Sequence, residues 1–521
     1  MNVSYKFSLD EVESMRYTLL AWYDAHKRQL PWREYALTCS DANSHAYAVW
    51  VSEIMLQQTR VATVIDYYKR WMMKWPDLKS LSQASEEEVN HMWSGLGYYS
   101  RGRRLLQGAI KVTKEFGGNM PTKAALLMKE LPGVGRYTSS AISSIAFSEP
   151  VGVVDGNVTR VLCRMRAIGG NTTKKEVMSH LWSVANHIVH QERPGDFNQA
   201  LMELGAMICL PKNPKCSSCP VKSNCKSLRQ VEEQSKFFFN KKMKKLLIEN
   251  KPAVKKEDGA VLIDIENCAD PLALPECEPW DPQQGVMNYP RKPKKKIPRN
   301  DYVAVTVLEW ISVECQPSVV NANMLPISKL LIVQRPNTGL LAGLWEFPSK
   351  PLNSIPESLT IFTNQHCKRK QKRSELNHFD DSSSPDFKQL EKLVSKSSDV
   401  FLRQLLTPKS YEIKNRMFVG CLDHLFSHIH QTNYIEHITL NSVDGMNLDL
   451  AEKSNAKWTE CSRLQESAIS SVVSKIYKNC LCLKQQCKKE QQALKGTRSY
   501  KKRKVIQSDV NAVYSVKKQK L

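Results

Sequence analysis

Two carboxylates, four thiols and one glycine turn are the residues of this 521-residue chain best placed to do chemistry. Glu53 lies in the stretch Tyr47 to Thr59, which is otherwise mostly apolar. Burial in such a helix would raise the pKa of a carboxyl toward a proton-donating range. Taken alone, the plainer reading is a glutamate on a solvated helix face, bonded to Gln57. Asp155 follows the apolar Val153 and Val154 and precedes Gly156 and Asn157, the position of a helix N-cap. The same placement would also fix a carboxylate beside a developing cation. Cys209, Cys216, Cys219 and Cys225 form C-x6-C-x2-C-x5-C within 17 residues, with Pro211, Pro214 and Pro220 shaping the loops. Four soft thiolates at this spacing suit one compact centre, and spacing alone leaves zinc and an iron–sulfur cluster both open.

The glycine turn is Leu131-Pro132-Gly133-Val134-Gly135-Arg136-Tyr137-Thr138. Pro132 ends one helix, because it lacks an N–H and clashes with the preceding turn. Gly133 and Gly135 are expected to supply conformations that a Cβ would obstruct. A small apolar helical run follows, from Thr138 to Phe147. A Gly-x-Gly turn that opens a helix points backbone N–H groups outward, as a phosphate site requires.

The elements that must position these groups are mostly helical up to about residue 228. Ser8 and Glu11 read as a capping box, and the helix after them places Val12, Met15, Leu19, Leu20 and Tyr23 on one face. Pro31-Trp32-Arg33 interrupts the pattern. Helical stretches then run over 46–73, 86–93, 103–116 and 124–131. Residues 229 to 298 hold a basic run and, from Pro271 to Pro298, seven spaced prolines, and read as an interdomain linker. From Tyr302 the pattern turns to β, with Val303 to Leu308 and Leu330 to Val333 as short strand signals. Residues 365–400 read as a polar excursion loop, 417–440 as strand, and Ala468 to Tyr477 as a closing helix. Residues 481–521 form a basic tail of disordered composition.

The formal net charge is +23, from 75 basic and 52 acidic residues, which favours a polyanionic partner. No apolar run approaches the roughly 18 residues of a membrane span, so no membrane partner is expected. The acidic residues Asp10, Glu11 and Glu13 argue against a secretory signal or a transit peptide, and no mitochondrial presequence is visible. The 15 cysteines are then thiols or metal ligands rather than disulfides.

Taken together, residues 31–228 resemble the helix-hairpin-helix DNA glycosylases that carry an iron–sulfur cluster. Within that group the chain is most similar to the adenine DNA glycosylases of MutY type. The segments that carry the resemblance are Pro31-Trp32-Arg33, Ser52 to Thr59, Gly95-Leu96-Gly97-Tyr98-Tyr99, Leu131 to Gly135, Val154-Asp155-Gly156-Asn157, Phe197 to Gly205 and the four cysteines.

The resemblance implies a multidomain protein. An all-α helix-hairpin-helix glycosylase domain (1–228) would carry a [4Fe–4S] loop (209–225). The linker (229–298), an α/β Nudix-like domain (299–480) and the tail (481–521) would follow. It implies removal of adenine mispaired with 8-oxoguanine or G in double-stranded DNA, by a monomer. Glu53 would protonate N7 of the flipped adenine, and Asp155 would stabilise the oxocarbenium-like sugar. Tyr137 and Asn157 would orient them. Arg33 and Gln199 would line the adenine pocket. Gln58, Tyr98, Leu131, Gly133 and Gly135 would contact the duplex, Tyr98 as a wedge, while Tyr99 could equally be core. Bifunctional relatives of endonuclease III type carry a lysine at the position of Tyr137, and a phenol cannot form their Schiff base. A monofunctional enzyme is therefore expected.

In the β-rich part, Leu331 to Pro336 and Gly339 to Pro348 resemble the MutT-like, Nudix-fold domain of the same enzymes. The acids between Pro348 and Thr407 lack the spacing of a Nudix magnesium box, so the fold would serve recognition alone. Phe426-Ser427-His428 matches the family's loop for 8-oxoguanine, where a serine hydroxyl can accept from the N7–H that oxidation creates. Only Cys268 and Cys277 fall between residues 226 and 314, so no linker zinc is expected. Gln507 to Tyr514 has the spacing of a sliding-clamp box, with Val513 in place of the first aromatic. Lys501 to Lys504 reads as a nuclear import signal. The rival readings are an endonuclease III-type lyase, a non-enzymatic damage scaffold and a nucleotide-pool hydrolase.

Overall fold

The structure is a computed structural model. It describes residues 5–39, 41–236, 271–274, 280–291, 297–312, 327–336, 338–352, 385–407, 410–426, 428–442, 448–451 and 455–484. Ser427, Cys268, Cys277, Lys501–Lys504 and Gln507–Tyr514 lie outside these residues. The chain divides into two compact units, 1–92 with 100–295 and 296–521 with 93–99.

The first unit is helical. Its helices are α1 Leu9–His26, α2 Pro31–Thr38, α3 Ala42–Leu56, α4 Val61–Lys74, α5 Leu78–Ser82, α6 Glu86–Met92, α7 Ser100–Glu115, α8 Ala124–Glu130, α9 Arg136–Phe147, α10 Gly156–Arg166, α11 Lys175–Ile188, α12 Pro194–Met207 and α13 over 226–236. The capping box of α1 forms in both directions. Ser8 Oγ accepts from the Glu11 N–H at 3.2 Å, and Glu11 accepts from the Ser8 N–H at 2.9 Å. Val12, Met15, Leu19, Leu20 and Tyr23 are all buried, as the periodicity of α1 predicts. They join a core built with α9, α10, α11 and α12 around Val153, Phe197 and Leu201.

The helical run over 46–73 is two helices, not one. It breaks at Gln57-Gln58, where Gln58 takes a left-handed φ of 56°. In α3 every residue from Ala46 to Met55 is buried, so this helix is wrapped on all sides. On one of those sides it packs against α9, whose buried Ser139, Ser140, Ser143 and Ser144 keep the facing surface thin.

The stretch read as a linker departs from that reading where it is described. Leu272 accepts from the N–H groups of Gly169 and Gly170 at 2.8 and 3.2 Å. Between Trp280 and Arg291 the chain folds on itself. Asn288 is fully buried and bonds Asp281 and Gly285, and Tyr289 donates its hydroxyl to Gln230 on α13 at 3.0 Å. Pro271, Pro282 and Pro290 punctuate a packed strap of the helical unit.

The second unit is a seven-stranded mixed sheet. Its strands are β1 Arg299–Ser312, β2 Ile327–Gln334, β3 Trp345–Glu346, β4 Ser349–Pro351, β5 Tyr411–Leu425, β6 Ile429–Ser442 and β7 Ala456–Glu460. The order is β3-β2-β1-β6-β5, with β4 on β1 and β7 on β2. β1 and β6 pair in parallel from Arg299↔Ile429 to Trp310↔Leu440, and the other pairs are antiparallel.

Alternation along β1 supplies two cores. Val305 and Val307 face Val472, Val473 and Ile476 of a helix over 471–484. Ala304 and Leu308 face the other side, toward Leu390, Val394 and Leu402. Those three belong to α14, Pro385–Leu405, and the helix over 471–484 is α15. The polar excursion loop expected over 365–400 is therefore helical from Pro385. Leu390, Val394, Ser397, Ser398 and Leu402 recur at helical spacing, and small buried serines fill positions where an apolar residue would have revealed the face. Burial of each large side chain there contributes roughly 1.5–3 kcal/mol.

Candidate active site

Glu53 is the centre of the site. It is 7% exposed, and the expected bond to Gln57 is not made, because Gln57 turns to Thr138 Oγ1 at 3.3 Å. The Glu53 carboxyl instead accepts from the hydroxyl of Tyr137, at 2.7 Å from Oε2. Tyr137 sits in the first turn of α9, straight after the glycine turn, so the hairpin delivers the phenol to α3. Burial pushes the Glu53 carboxyl up to about 7, and the charge of nearby Asp155 adds to the rise. The Tyr137 hydrogen bond and Arg33 hold it lower than burial alone would. A carboxyl so poised can give and take a proton near neutral pH.

Asp155 is the N-cap of α10. Its Oδ1 accepts from the Val158 N–H at 2.6 Å, and its Oδ2 accepts from Asn157 Nδ2 at 2.9 Å. The capping and the site readings of this residue hold together. Burial raises its pKa against these hydrogen bonds. Asn157 is held in turn by Arg160, whose Nη2 donates to Asn157 Oδ1 at 2.9 Å and to the Gly205 carbonyl at 2.6 Å. Arg160 Nε donates to the Cys209 carbonyl at 2.8 Å. One guanidinium thus joins the Asp155 turn to the cysteine loop. Gly205 permits this closeness, since a Cβ there would stand 2.7 Å from Cβ of Asn157.

Glu53, Tyr137, Asp155, Asn157, Arg33, Gln199 and Gln58 all line one cleft of about 1370 Å³. Arg33 Nε donates to Gln199 Oε1 at 2.9 Å, which leaves the amide N–H groups of Gln199 for another acceptor. Sequence reasoning assigned no role to Glu203 and Arg28, which hold this pair. Glu203 is 1% exposed and takes Arg28 in a fork at 2.6 and 2.9 Å, the Arg28 N–H at 3.0 Å and Arg33 Nη2 at 3.2 Å. Burial alone would raise its pKa, but the arginines outweigh it and hold the carboxylate below its ordinary value. The one signal was spacing, for Gln199 and Glu203 lie four apart on α12.

The duplex candidates Leu131, Gly133 and Gly135 lie outside the cleft lining. Gln58 and Tyr98 are exposed with left-handed backbones, Tyr98 at φ 49°, and Tyr99 is buried. Gly133 has φ 78°, and a Cβ would meet Arg104 Cδ at 2.7 Å. Gly135 corrects the expectation made for it. Its φ is −93° and an added Cβ would meet nothing within 4 Å, so the fold itself does not require glycine there. The side chain of Leu131 is buried, which leaves only its backbone for a ligand.

In the second unit, Phe426 leaves β5 half-buried on the sheet core and edge-on to His424, with ring centroids 4.5 Å apart. His428 is exposed, and its carbonyl accepts from the Arg299 N–H at 3.2 Å.

The four cysteines line one small apolar cavity with Val161, Met165, Leu204, Ile208, Val221 and Val286. Among the described residues no three His, Cys, Asp or Glu side chains are grouped to hold a single metal ion. Burial pushes the thiols of Cys219 and Cys225 up to about 11 and 12. Arg164 Nη1 lies 3.4 Å from Cys209 Sγ, a cationic partner suited to a thiolate. Four thiols around a cavity, with a guanidinium beside them, are a donor set that fits an iron–sulfur cluster.

A family model for HhH-GPD superfamily base excision DNA repair proteins matches residues 51–187, which span α3 to α11. The adenine DNA glycosylase of Rattus norvegicus is 42% identical over 473 residues, 90% of this chain and 78% of that protein. The chain belongs to the adenine DNA glycosylase family. The adenine DNA glycosylase of Schizosaccharomyces pombe is 32% identical across 91% of each chain. Among solved structures, the C-terminal domain of mouse MUTYH in complex with human PCNA is similar to 36% of this chain at 20% identity, with a TM-score of 0.19. Membership makes the protein a base excision repair enzyme that hydrolyses N-glycosyl bonds. It also unites a helical HhH-GPD domain and a sheet-containing domain in one chain.

Proposed function

We propose that this adenine DNA glycosylase excises adenine paired with 8-oxoguanine, or with guanine, and leaves the strand uncut. The observation that carries the reading is the 2.7 Å hydrogen bond from Tyr137 to a Glu53 carboxyl poised near 7, with Asp155 in the same cleft. The flipped adenine enters between Arg33, Gln199 and Glu53. Glu53 donates its proton to N7, so the base leaves as a neutral purine. Asp155, fixed by Val158 and Asn157, stabilises the positive charge that develops at C1′. Glu53, now a carboxylate, takes a proton from the attacking water. Tyr137 stands where a lysine would make a Schiff base, and its phenol pKa is raised well above the ordinary value by burial and by Glu53, so it stays a donor.

We assign a [4Fe–4S] cluster to Cys209, Cys216, Cys219 and Cys225. Bound there, it supplies a four-thiolate cross-link that shapes the 209–225 loop. The domains are taken as 1–228, a connecting stretch 229–298, a Nudix-like unit 299–480 that reads 8-oxoguanine through Phe426, Ser427 and His428, and a tail 481–521. Nuclear import through Lys501–Lys504 and sliding-clamp binding through Gln507–Tyr514 complete the proposal.

The deciding experiment measures excision from A:8-oxoguanine and A:G duplexes by the full chain and by Glu53→Gln, with borohydride trapping alongside. We expect adenine release by the wild type, a loss of about 10²–10⁴-fold in the variant, and little trapped adduct. Undiminished activity in Glu53→Gln, or release of 8-oxoguanine, would overturn the reading.

A further inference from the structure

Arg101 lies in the first turn of α7, where a helix dipole disfavours a cation and no acidic residue is present. The residue is nonetheless 7% exposed. Its guanidinium is turned to the opposite pole of another helix. Nη1 donates to the carbonyls of Ile54, Met55 and Gln57 at 2.9, 3.0 and 2.6 Å, and Nη2 reaches Thr59 Oγ1 at 3.3 Å. Ile54 and Met55 close α3, and Gln57 is its C-cap. Carbonyls in a helix's last turn have no partner within the helix, and left unpaired in a buried setting each costs about 1–3 kcal/mol. Here one charged side chain satisfies three of them. The helix it terminates carries Glu53, and the turn it ties down displays Gln58 in a left-handed conformation that glutamine rarely adopts.

We propose that Arg101 is a positioning residue for base excision. It locks the end of α3 so that Glu53 stays within reach of the adenine, and it holds the Gln57–Thr59 turn that presents Gln58 to the duplex. The inference rests on the reading of Glu53 as proton donor. Neither Lys nor Met can copy the pattern of donors, since a guanidinium presents a rigid fork and an ammonium a point charge with three rotatable donors.

The test compares Arg101→Met and Arg101→Lys with the wild type and with Glu53→Gln. It measures the single-turnover excision rate at saturating enzyme across pH, with thermal unfolding of each protein. A misplacement of about 1 Å can remove about 100-fold of rate, and that loss is expected for folded R101M, with an altered pH profile. R101K should recover part of it. Wild-type rate and pH profile in folded R101M would overturn the proposal. So would an R101M that does not fold beside an R101K of wild-type rate, which would assign Arg101 to stability alone. An active Glu53→Gln would instead overturn the reading of Glu53, while an inactive Glu53→Gln with a fully active R101M would remove only Arg101.

Discussion

The hydroxyl of Tyr137 stands 2.7 Å from Oε2 of Glu53, and this bond joins the glycine turn to the acid. It favours the ionised carboxyl and so opposes the burial that pushes Glu53 up to about 7. Tyr137→Phe should therefore raise that pKa further, by about one pH unit. If Glu53 works as an acid, the fall of the excision rate with rising pH moves to more alkaline values in the variant. Single-turnover rates between pH 5 and about 9 read the shift, and an unmoved limb would contradict it.

The same burial carries a stability cost with a defined pH window. Folding moves the Glu53 pKa from its ordinary 4.5 to about 7, so the folded chain holds the proton more tightly than the unfolded one. Stability falls as pH rises from about 4.5 to about 7 and changes no further from this group above that. Glu53→Gln should then be the more stable protein at pH 8, by up to about 3 kcal/mol, with the advantage gone below pH 4.5. Thermal or urea unfolding at the two pH values checks this, and equal stability at pH 8 would argue against a buried, raised carboxyl.

The two hairpin glycines should separate stability from binding. Gly133→Ala places a Cβ at φ 78° and against Arg104, and should destabilise the chain by about 1–2 kcal/mol. Gly135→Ala meets nothing in the fold and should stay within about 0.5 kcal/mol. Its duplex affinity should nevertheless drop, since the added methyl stands where a phosphate would approach the α9 N-terminus. Urea unfolding and duplex titration of both variants test the pair. Loss of stability in Gly135→Ala, or unchanged affinity, would count against the phosphate reading.

Removing the charge of Glu203 should be felt in two places. Glu203→Gln leaves Arg28 and Arg33 with a neutral amide in place of their shared carboxylate, at an expected cost of about 2 kcal/mol. It also weakens one of the three bonds that hold Arg33 beside Gln199, so excision should slow even where the variant is fully folded. Unfolding midpoints and excision rates read the two effects separately.

Much of this was legible because local chemistry and tertiary role agree. Ser8 and Glu11 announce a cap that forms, and Asp155 announces an N-cap that also points into the cleft. What stayed hidden depends on partners far apart in the chain. Nothing near Glu53 in sequence reveals Tyr137, which is 84 positions away, and only the family resemblance brought the two together beforehand. Arg28 and Glu203 are separated by 175 positions, and Arg101 reaches back 47 to Ile54. In α14 the buried face is made partly of Ser397 and Ser398, so its periodicity is masked by polarity. Gly135 shows the converse error, because a glycine beside a strained one reads as strained itself.

The strap around Asn288 changes what the 229–298 stretch is mechanically. Leu272 is bonded to Gly169 and Gly170, and Tyr289 to Gln230 on α13, so the described parts of the stretch, 271–274 and 280–291, are fixed on the helical unit. Arg164, which stands beside Cys209, also donates to the Tyr289 carbonyl at 3.1 Å. The strap is thus a brace for the cysteine loop rather than a spacer. A change at Asn288 or Tyr289 should be felt as lost stability around the four thiols.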